Sequence, residues 1–305
     1  MKQLVFIVNP VAGNGQAKKK WEEIKSKLEG AHEVFFTTTS GHAMTIAKEL
    51  AEREQAILVV VIGGDGTIHE VLEGCRGYSH IEMTAVAAGS GNDFVRTFTA
   101  VRNTKDIEEL RIGTNVKPMR LGSLKTPDVS TVFVNNAGFG FDAKVVYEAN
   151  RSIWKKRLNR FGLGKVVYYG TVVKELISYQ PTGCKLHVDD RDYTFSNVWF
   201  VVVCNQPYFG GGMKISPLSS PEDDLLEATV ISDLSRWKLL LLFGTVFIGW
   251  HTKLKEVHQF SGSSIRIQTE QSLIGHVDGE YAGELQPDQQ AICEILEETW
   301  AMPVK

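Results

Sequence analysis

No stretch of this chain is apolar for long enough to cross a bilayer. The longest, Leu239 to Trp250, has twelve residues with two glycines among them, and a spanning helix takes about 20; it reads as core. The opening run Leu4 to Val8 stops at Asn9-Pro10, short of the ~7 or more apolar residues and the small-residue cleavage site of a secretory leader. Cysteine is scarce too. Cys75, Cys184, Cys204 and Cys293 stand far apart with no C-x-x-C pair. That spacing argues against a zinc site or a disulfide framework, and for free thiols in a reducing, cytoplasmic compartment. Basic charge is not in excess either: 33 Lys and Arg face 36 Asp and Glu, a net charge of −3. There is no general field for duplex nucleic acid, and no nucleic-acid partner is expected.

What is present is ordinary globular composition over 305 residues, 43% of them hydrophobic, enough for about two domains. Leu4–Val8, Val34–Thr39, Ile57–Ile62 and Thr84–Ala88 read as short buried strands. Between them Lys18–Leu28, Ala43–Arg53 and Ile68–Leu72 carry apolar residues at helical spacing. This alternation predicts an α/β domain with a parallel, Rossmann-like sheet covered on both faces. Beyond Pro118 the strands come without regular helices: Val132–Asn136, Cys184–Val188, Val198–Val203, Leu226–Ile231, Ser264–Thr269 and Ala291–Leu296. They predict a mostly antiparallel β-sandwich, interrupted by helical stretches near 143–178 and 235–252. The expected domains are 1–125 and 126–286, with 287–305 a candidate to complete the first.

Three glycine-rich loops each follow a predicted strand of the first domain. In an open parallel sheet such loops gather at the carboxyl edge, where ligands bind. Glycine lets main-chain N–H groups approach phosphate oxygens, and the next helix N-terminus favours an anion. Asn9-Pro10-Val11-Ala12-Gly13-Asn14-Gly15 is the weakest, since a structural turn explains it as well. Gly63-Gly64-Asp65-Gly66-Thr67 is the strongest, because a plain turn has no need of an acid and a hydroxyl among three glycines. Asp65 suits a magnesium ion and Thr67 a phosphate oxygen. Gly89-Ser90-Gly91-Asn92-Asp93 repeats the logic with a hydroxyl and an amide.

Gly63-Gly64-Asp65-Gly66-Thr67-Ile68-His69-Glu70 resembles the G-G-D-G-T-x-N-E hallmark of the diacylglycerol kinase catalytic superfamily. Asn9-Pro10-x-x-Gly13 is similar to that family's opening loop, and Ala88-Gly89-Ser90-Gly91-Asn92-Asp93-Phe94 to its P-x-G-T-x-N-D-F. Asn136-Ala137-Gly138-Phe139-Gly140-Phe141-Asp142 resembles its N-x-G-x-G-x-D, and Gly210-Gly211-Gly212 and Asp278-Gly279-Glu280 follow in the family's order. His69 departs from the usual Asn, Ala88 from Pro, Ser90 from Thr, and Asp224 from the glycine that commonly follows Asp223.

The resemblance implies an ATP- and Mg²⁺-dependent lipid kinase acting on a diacylglycerol hydroxyl. Rival acceptors are a sphingoid base, ceramide, phosphatidylglycerol, undecaprenol or NAD. A rival of another class is a nucleotide-binding regulatory protein without catalysis. Carried over by position, Asn9, Pro10, Val11, Ala12, Gly13, Thr37, Gly64, Asp65, Gly66, Thr67, Ile68, His69, Glu70 and Ser90 contact ATP. Glu280 is the general base, Asp65 its catalytic partner, and Ser220, Asp223 and Leu225 hold a structural magnesium. Taken alone, Asp278-Gly279-Glu280 reads first as a hairpin turn, and the resemblance reverses that preference. Asp93 and Asp142 join a polar network behind the catalytic magnesium, although Asp142 also suits a helix cap. Arg151, Lys155, Lys156, Arg157, Arg160 and Lys165, interleaved with apolar residues and free of acid, suit an anionic leaflet as well as they suit water. The expectation is a cytoplasmic protein peripheral to the membrane, with a homodimer left open.

Overall fold

The computed structural model describes residues 1–89, 91–98, 101–151 and 164–304. Five strands open the chain: β1 (Gln3–Val8), β2 (Glu33–Phe36), β3 (Ile57–Gly63), β4 (Ile81–Ala87) and β5 (Val116–Met119). Helices α1 (Ala12–Lys25), α2 (His42–Ala51), α3 (Asp65–Cys75), α4 (Asp93–Thr97) and α5 (Thr104–Ile112) lie among them. β1 to β4 pair in parallel in the order β2-β1-β3-β4. Alternate side chains of one strand enter opposite layers. Val5, Ile7, Val59 and Val61 pack with α2 and α3, while Leu4, Phe6, Leu58 and Val60 pack with α1 and α5. Burial on both faces explains why these strands are continuously apolar.

The second region holds β6 (Gly122–Lys125), β7 (Ser130–Phe133), β8 (Asn136–Gly140), β9 (Thr182–Val188), β10 (Arg191–Cys204), β11 (Leu226–Ser232), β12 (Val257–Gly262), β13 (Ser264–Thr269), β14 (Leu273–Val277), β15 (Glu280–Leu285) and β16 (Ala291–Ile295). Their pairing is antiparallel, in the order β15-β14-β8-β10-β9-β13-β16-β6-β7, with β11 and β12 continuing from β10. Fourteen-residue β10 pairs with β8, β9 and β11, and register shifts at both contacts with β9 and β11 bend it around one core. Helices α6 (Phe141–Arg151), α7 (Gly164–Ser178) and α8 (Arg236–Leu242) lie outside the sheet, followed by 3₁₀ turns Phe243–Ile248 and Trp250–Lys253.

The chain then returns. β17 (Trp300–Pro303) lies between β4, which it joins in parallel, and β5, which it joins antiparallel. The anchor is Trp300, packed against Phe94 and Phe98 at ring separations of 5.7 and 5.6 Å. Strand membership differs from expectation in two places. β6 already belongs to the second sheet, so the switch falls between β5 and β6 rather than at 125. β16 belongs there too, so within 287–305 the first sheet gains β17. The expected strand Val132–Asn136 is broken into β7 and β8, because Val134, Asn135 and Asn136 turn their N–H groups onto one carboxylate.

Candidate active site

Three loops meet at the carboxyl edge of the parallel sheet. Gly13 has a φ of +56° and sits so close to the third loop that a Cβ would lie 2.2 Å from the Ala88 carbonyl oxygen. A Cβ on Gly89 would lie 2.5 Å from Gly64 Cα. Glycine is therefore what lets the first and second loops close on the third. The Asn9 side-chain amide donates to Thr67 Oγ1 at 3.0 Å, while Asn9 Oδ1 accepts from the Val11 N–H.

A cavity of about 500 Å³ lies over these loops. Asn9, Val11, Ala12, Gly13, Thr37, Gly64, Gly66, Thr67 and Glu70 line it, joined by Thr38, Thr39, Ser40 and Gly89. Thr38 adjoins the expected Thr37, whereas Thr39 and Ser40 were not legible in the sequence beyond a run of hydroxyls after β2. Pro10 and Ile68 lie off the cavity wall. Pro10 shapes the turn after Asn9. Ile68 is buried in the apolar layer under α3 at 1% exposure, because it falls on that helix's core face. Glu70, on the cavity wall, turns its carboxylate to the N–H groups of Gly41 and Ala43 at 2.8 and 3.1 Å, closing the N-terminus of α2. Ser90 lies outside the described residues.

Asp65, at the start of α3, accepts the Phe94 N–H at 3.1 Å. Asp93 accepts the Gly211 N–H at 2.8 Å, which ties α4 to the glycine loop of the second region. A Cβ placed on Gly91 would lie 2.8 Å from Asp65 Oδ2 and 3.5 Å from Asp93 Oδ2, so the two carboxylates flank one point. Burial pushes the Asp65 carboxyl up, against N–H bonds from Phe94 and Asp93, and the Asp278 charge adds to the rise. Burial likewise raises Asp93 to about 6. Asp93 Oδ1 is buried with no hydrogen-bond partner among the described residues, although Arg96 Nε stands 3.8 Å from it. Two desolvated carboxylates with a spare oxygen suit a hard cation.

The second region meets this edge through the β14–β15 hairpin. Asp278 and Gly279 both have positive φ, 47° and 84°, and Val277 pairs with Glu280 across them. The Asp278 side chain is almost entirely buried. Its carboxylate accepts N–H groups from Val134, Asn135 and Asn136 at 2.8 to 3.0 Å, and its Oδ2 meets His69 Nδ1 at 2.7 Å. Burial works against the His69 cation, but the bonds and charges of Asp278 and Glu73 prevail and lift it to about 10. Burial opposes the Asp278 charge too, yet His69 and the N–H donors hold that carboxyl below its usual range. His69 thus faces the hairpin rather than the cavity. One turn along α3 from Asp65, it clamps the hairpin whose next strand starts with Glu280. Glu280 itself is exposed. Beside it Tyr281 packs on Tyr147 at 4.9 Å, and Asn150 donates to the Gly279 carbonyl.

Asp142 instead bonds His276 Nε2 at 3.0 Å, and the His276 ring stacks on Phe209. The Ser220–Leu225 loop is exposed at its acids and already cross-linked. Asp223 Oδ1 accepts the Leu225 N–H, Ser220 Oγ accepts the Glu222 N–H, Arg120 pairs with Asp224 at 2.6 Å and Lys117 with Glu222 at 2.8 Å. For a magnesium ion this leaves one carboxylate and main-chain oxygens. The guanidinium beside it closes the turn where the family commonly has glycine. Arg151 stacks over Tyr147; Lys155, Lys156, Arg157 and Arg160 lie outside the described residues, as does the side chain of Lys165.

The fold and this cleft define a two-domain phosphotransferase with a hydroxyl acceptor. Residues 3–124 match the diacylglycerol kinase catalytic domain, and residues 135–297 match the YegS C-terminal NAD kinase beta sandwich-like domain. The chain belongs to the diacylglycerol kinase-like lipid kinase family. It is 31% identical to "Putative lipid kinase YtlR" of Bacillus subtilis over 93% of this chain and 94% of that one. It is 27% identical to a diacylglycerol kinase of Mycobacterium tuberculosis over 97% and 94%. In fold it resembles a diacylglycerol kinase from Bacillus anthracis (TM-score 0.69, 19% identity, 100% of this chain and 97% of that one). Yeast NADH kinase shares the fold more distantly (TM-score 0.53, 14% identity, covering 100% and 84%).

Proposed function

We propose that this chain uses ATP and Mg²⁺ to phosphorylate the hydroxyl of diacylglycerol, giving phosphatidic acid. The observation that carries the reading is the joining of two halves. A glycine-walled cavity of about 500 Å³ sits on the first sheet, and the His69–Asp278 bond of 2.7 Å fastens a hairpin bearing an exposed carboxylate to the same helix. The triphosphate lies along Gly13, Gly64, Gly66 and Gly89, whose main-chain N–H groups and the α3 N-terminus hold its oxygens. Thr67 and Asn9 fix the loop beneath. Asp65 and Asp93 would hold the magnesium, which when bound neutralises charge on the phosphates.

Glu280 accepts the proton of the acceptor alcohol as that oxygen bonds to the γ-phosphorus. The bond from phosphorus to the β–γ bridging oxygen breaks, and ADP leaves with the electron pair. Most of the acceleration comes from positioning and charge neutralisation. A second, apolar cavity of about 80 Å³ supports a lipid acceptor. Phe141, Val145, Phe200, Met213, Leu239 and Val246 are among its walls, and it would take the start of an acyl chain. That cavity favours lipid over NAD. The Ser220–Leu225 loop takes no part in this chemistry. Labelled ATP offered with a panel of diacylglycerol, sphingoid base, ceramide, phosphatidylglycerol, undecaprenol and NAD tests the reading. Label in phosphatidic acid is expected; preference for another acceptor, or no transfer at all, contradicts it.

A further inference from the structure

The segment after β11 leaves several large apolar side chains in solvent. Trp237 is 75% exposed, Leu241 81%, Ile248 61% and Trp250 62%. Neighbouring elements extend the face. Arg236 donates to the main-chain carbonyls of Ile177 and Tyr179 at the end of α7, and Ile177 is 66% exposed. Lys214 N–H bonds the Val246 carbonyl, and a Cβ on Gly249 would lie 3.1 Å from Pro217, which brings the 74%-exposed Leu218 alongside. The inner side of the same segment, through Leu239, Val246, His251 and Leu254, walls the 80 Å³ apolar cavity.

We infer that this Trp237–Trp250 face, with Leu218 and Ile177, seats the protein on an anionic bilayer, directly over the apolar cavity. Two features select a bilayer over a protein partner. Arg236, Lys238, Lys253 and Lys255 outnumber the flanking acids Asp233 and Glu256; Glu256 pairs with Lys238, which leaves the exposed Lys253 and Lys255 to complement an anionic leaflet. Exposed tryptophans beside lysine are the side chains that settle at the headgroup level, and Lys253 lies 5.7 Å above the Trp250 ring. In the sequence it is separate from the basic stretch 151–165. It also gives the cavity a role: a chain end could pass from leaflet to pocket without crossing water. The inference rests on the lipid-acceptor reading for its purpose, but its test needs neither ATP nor acceptor.

Full-length protein carrying Trp154→Phe is mixed with vesicles of phosphatidylcholine and phosphatidylglycerol whose acyl chains are brominated. Tryptophan fluorescence should be quenched, and adding Trp237→Phe and Trp250→Phe should abolish the quenching. With Trp237→Glu and Trp250→Glu, flotation with the vesicles should fall by at least about tenfold, with an unchanged melting temperature. Quenching that survives the Phe pair, flotation that survives the Glu pair, or self-association through this face without vesicle binding would overturn the inference. Docking as stated with no lipid phosphorylated would support this surface while refuting the acceptor assignment.

Discussion

At the scale of single residues, His69 is where this chain departs most consequentially from its family's pattern. An asparagine there could bond Asp278, but it could not be a cation. With His69 raised from 6.5 to about 10 on folding, the folded state holds its proton more tightly than the unfolded chain. Its contribution is complete below pH 6.5 and is lost as pH rises toward 10. Asp278, held below its ordinary 3.8, contributes above that pH and loses its share as pH falls through its lowered value. His69→Asn should therefore flatten the decline of stability between pH 6.5 and 10; urea titrations at several pH values measure it. A variant with the same slope as the parent would show that the pair carries no net charge coupling. Gly89→Ala is the second test. Its Cβ would push against Gly64, so the KM for ATP should rise several-fold with the fold intact, measured by kinetics and circular dichroism. An unchanged KM would separate the loop contact from nucleotide binding.

At the scale of elements, the helices α2 and α3 lie close because Gly74 has no side chain. A Cβ there would be 2.6 Å from the Met44 carbonyl oxygen and 2.7 Å from Ala47 Cβ. Gly74→Ala should cost about 1–3 kcal/mol by overpacking, with the KM for ATP unchanged, as read by chemical denaturation and steady-state kinetics. Local elements were largely legible in the sequence. The runs Ile57–Ile62 and Ser264–Thr269 are strands because continuous or alternating apolar patterns report burial directly. The glycine loops were legible because backbone segments that approach this closely demand glycine at fixed places. The Asp278-Gly279 turn was read as a hairpin or a catalytic loop, and it is a hairpin that also carries Glu280. What stayed hidden depends on partners distant in the chain. Ile68 and Glu70 sit inside the hallmark, yet one faces the core and the other serves α2, and only helix phase and neighbours decide that. The Arg120–Asp224 and His69–Asp278 pairs span more than a hundred residues. β12 and β14 have apolar patterns too short or irregular to stand out, and the helical stretch expected at 235–252 breaks into α8 and two 3₁₀ turns at its glycines.

At the scale of the whole molecule, the chain crosses between its two sheets twice, between β5 and β6 and again before β17. The return makes the first sheet depend on the last residues. Trp300 is 2% exposed, and Trp300→Ala should cost about 3–5 kcal/mol through the cavity it leaves against Phe94 and Phe98. Thermal and urea denaturation would measure this, and a loss below 1 kcal/mol, given as roughly the scale of a surface change, would show β17 to be a passive tail. The two crossings, the Asp93–Gly211 bond and the His69–Asp278 clamp tie the hairpin that carries Glu280 and the glycine loop of the second region to the loops and helix beside the cavity. The division of labour this implies can be measured in the Glu280→Ala enzyme, by following kcat and the KM for ATP with diacylglycerol as acceptor. A fall in kcat of at least about 100-fold with the KM for ATP little changed is predicted, since a general base contributes to the transition state and not to nucleotide binding. Turnover close to that of the parent, or a defect confined to ATP affinity, would contradict it.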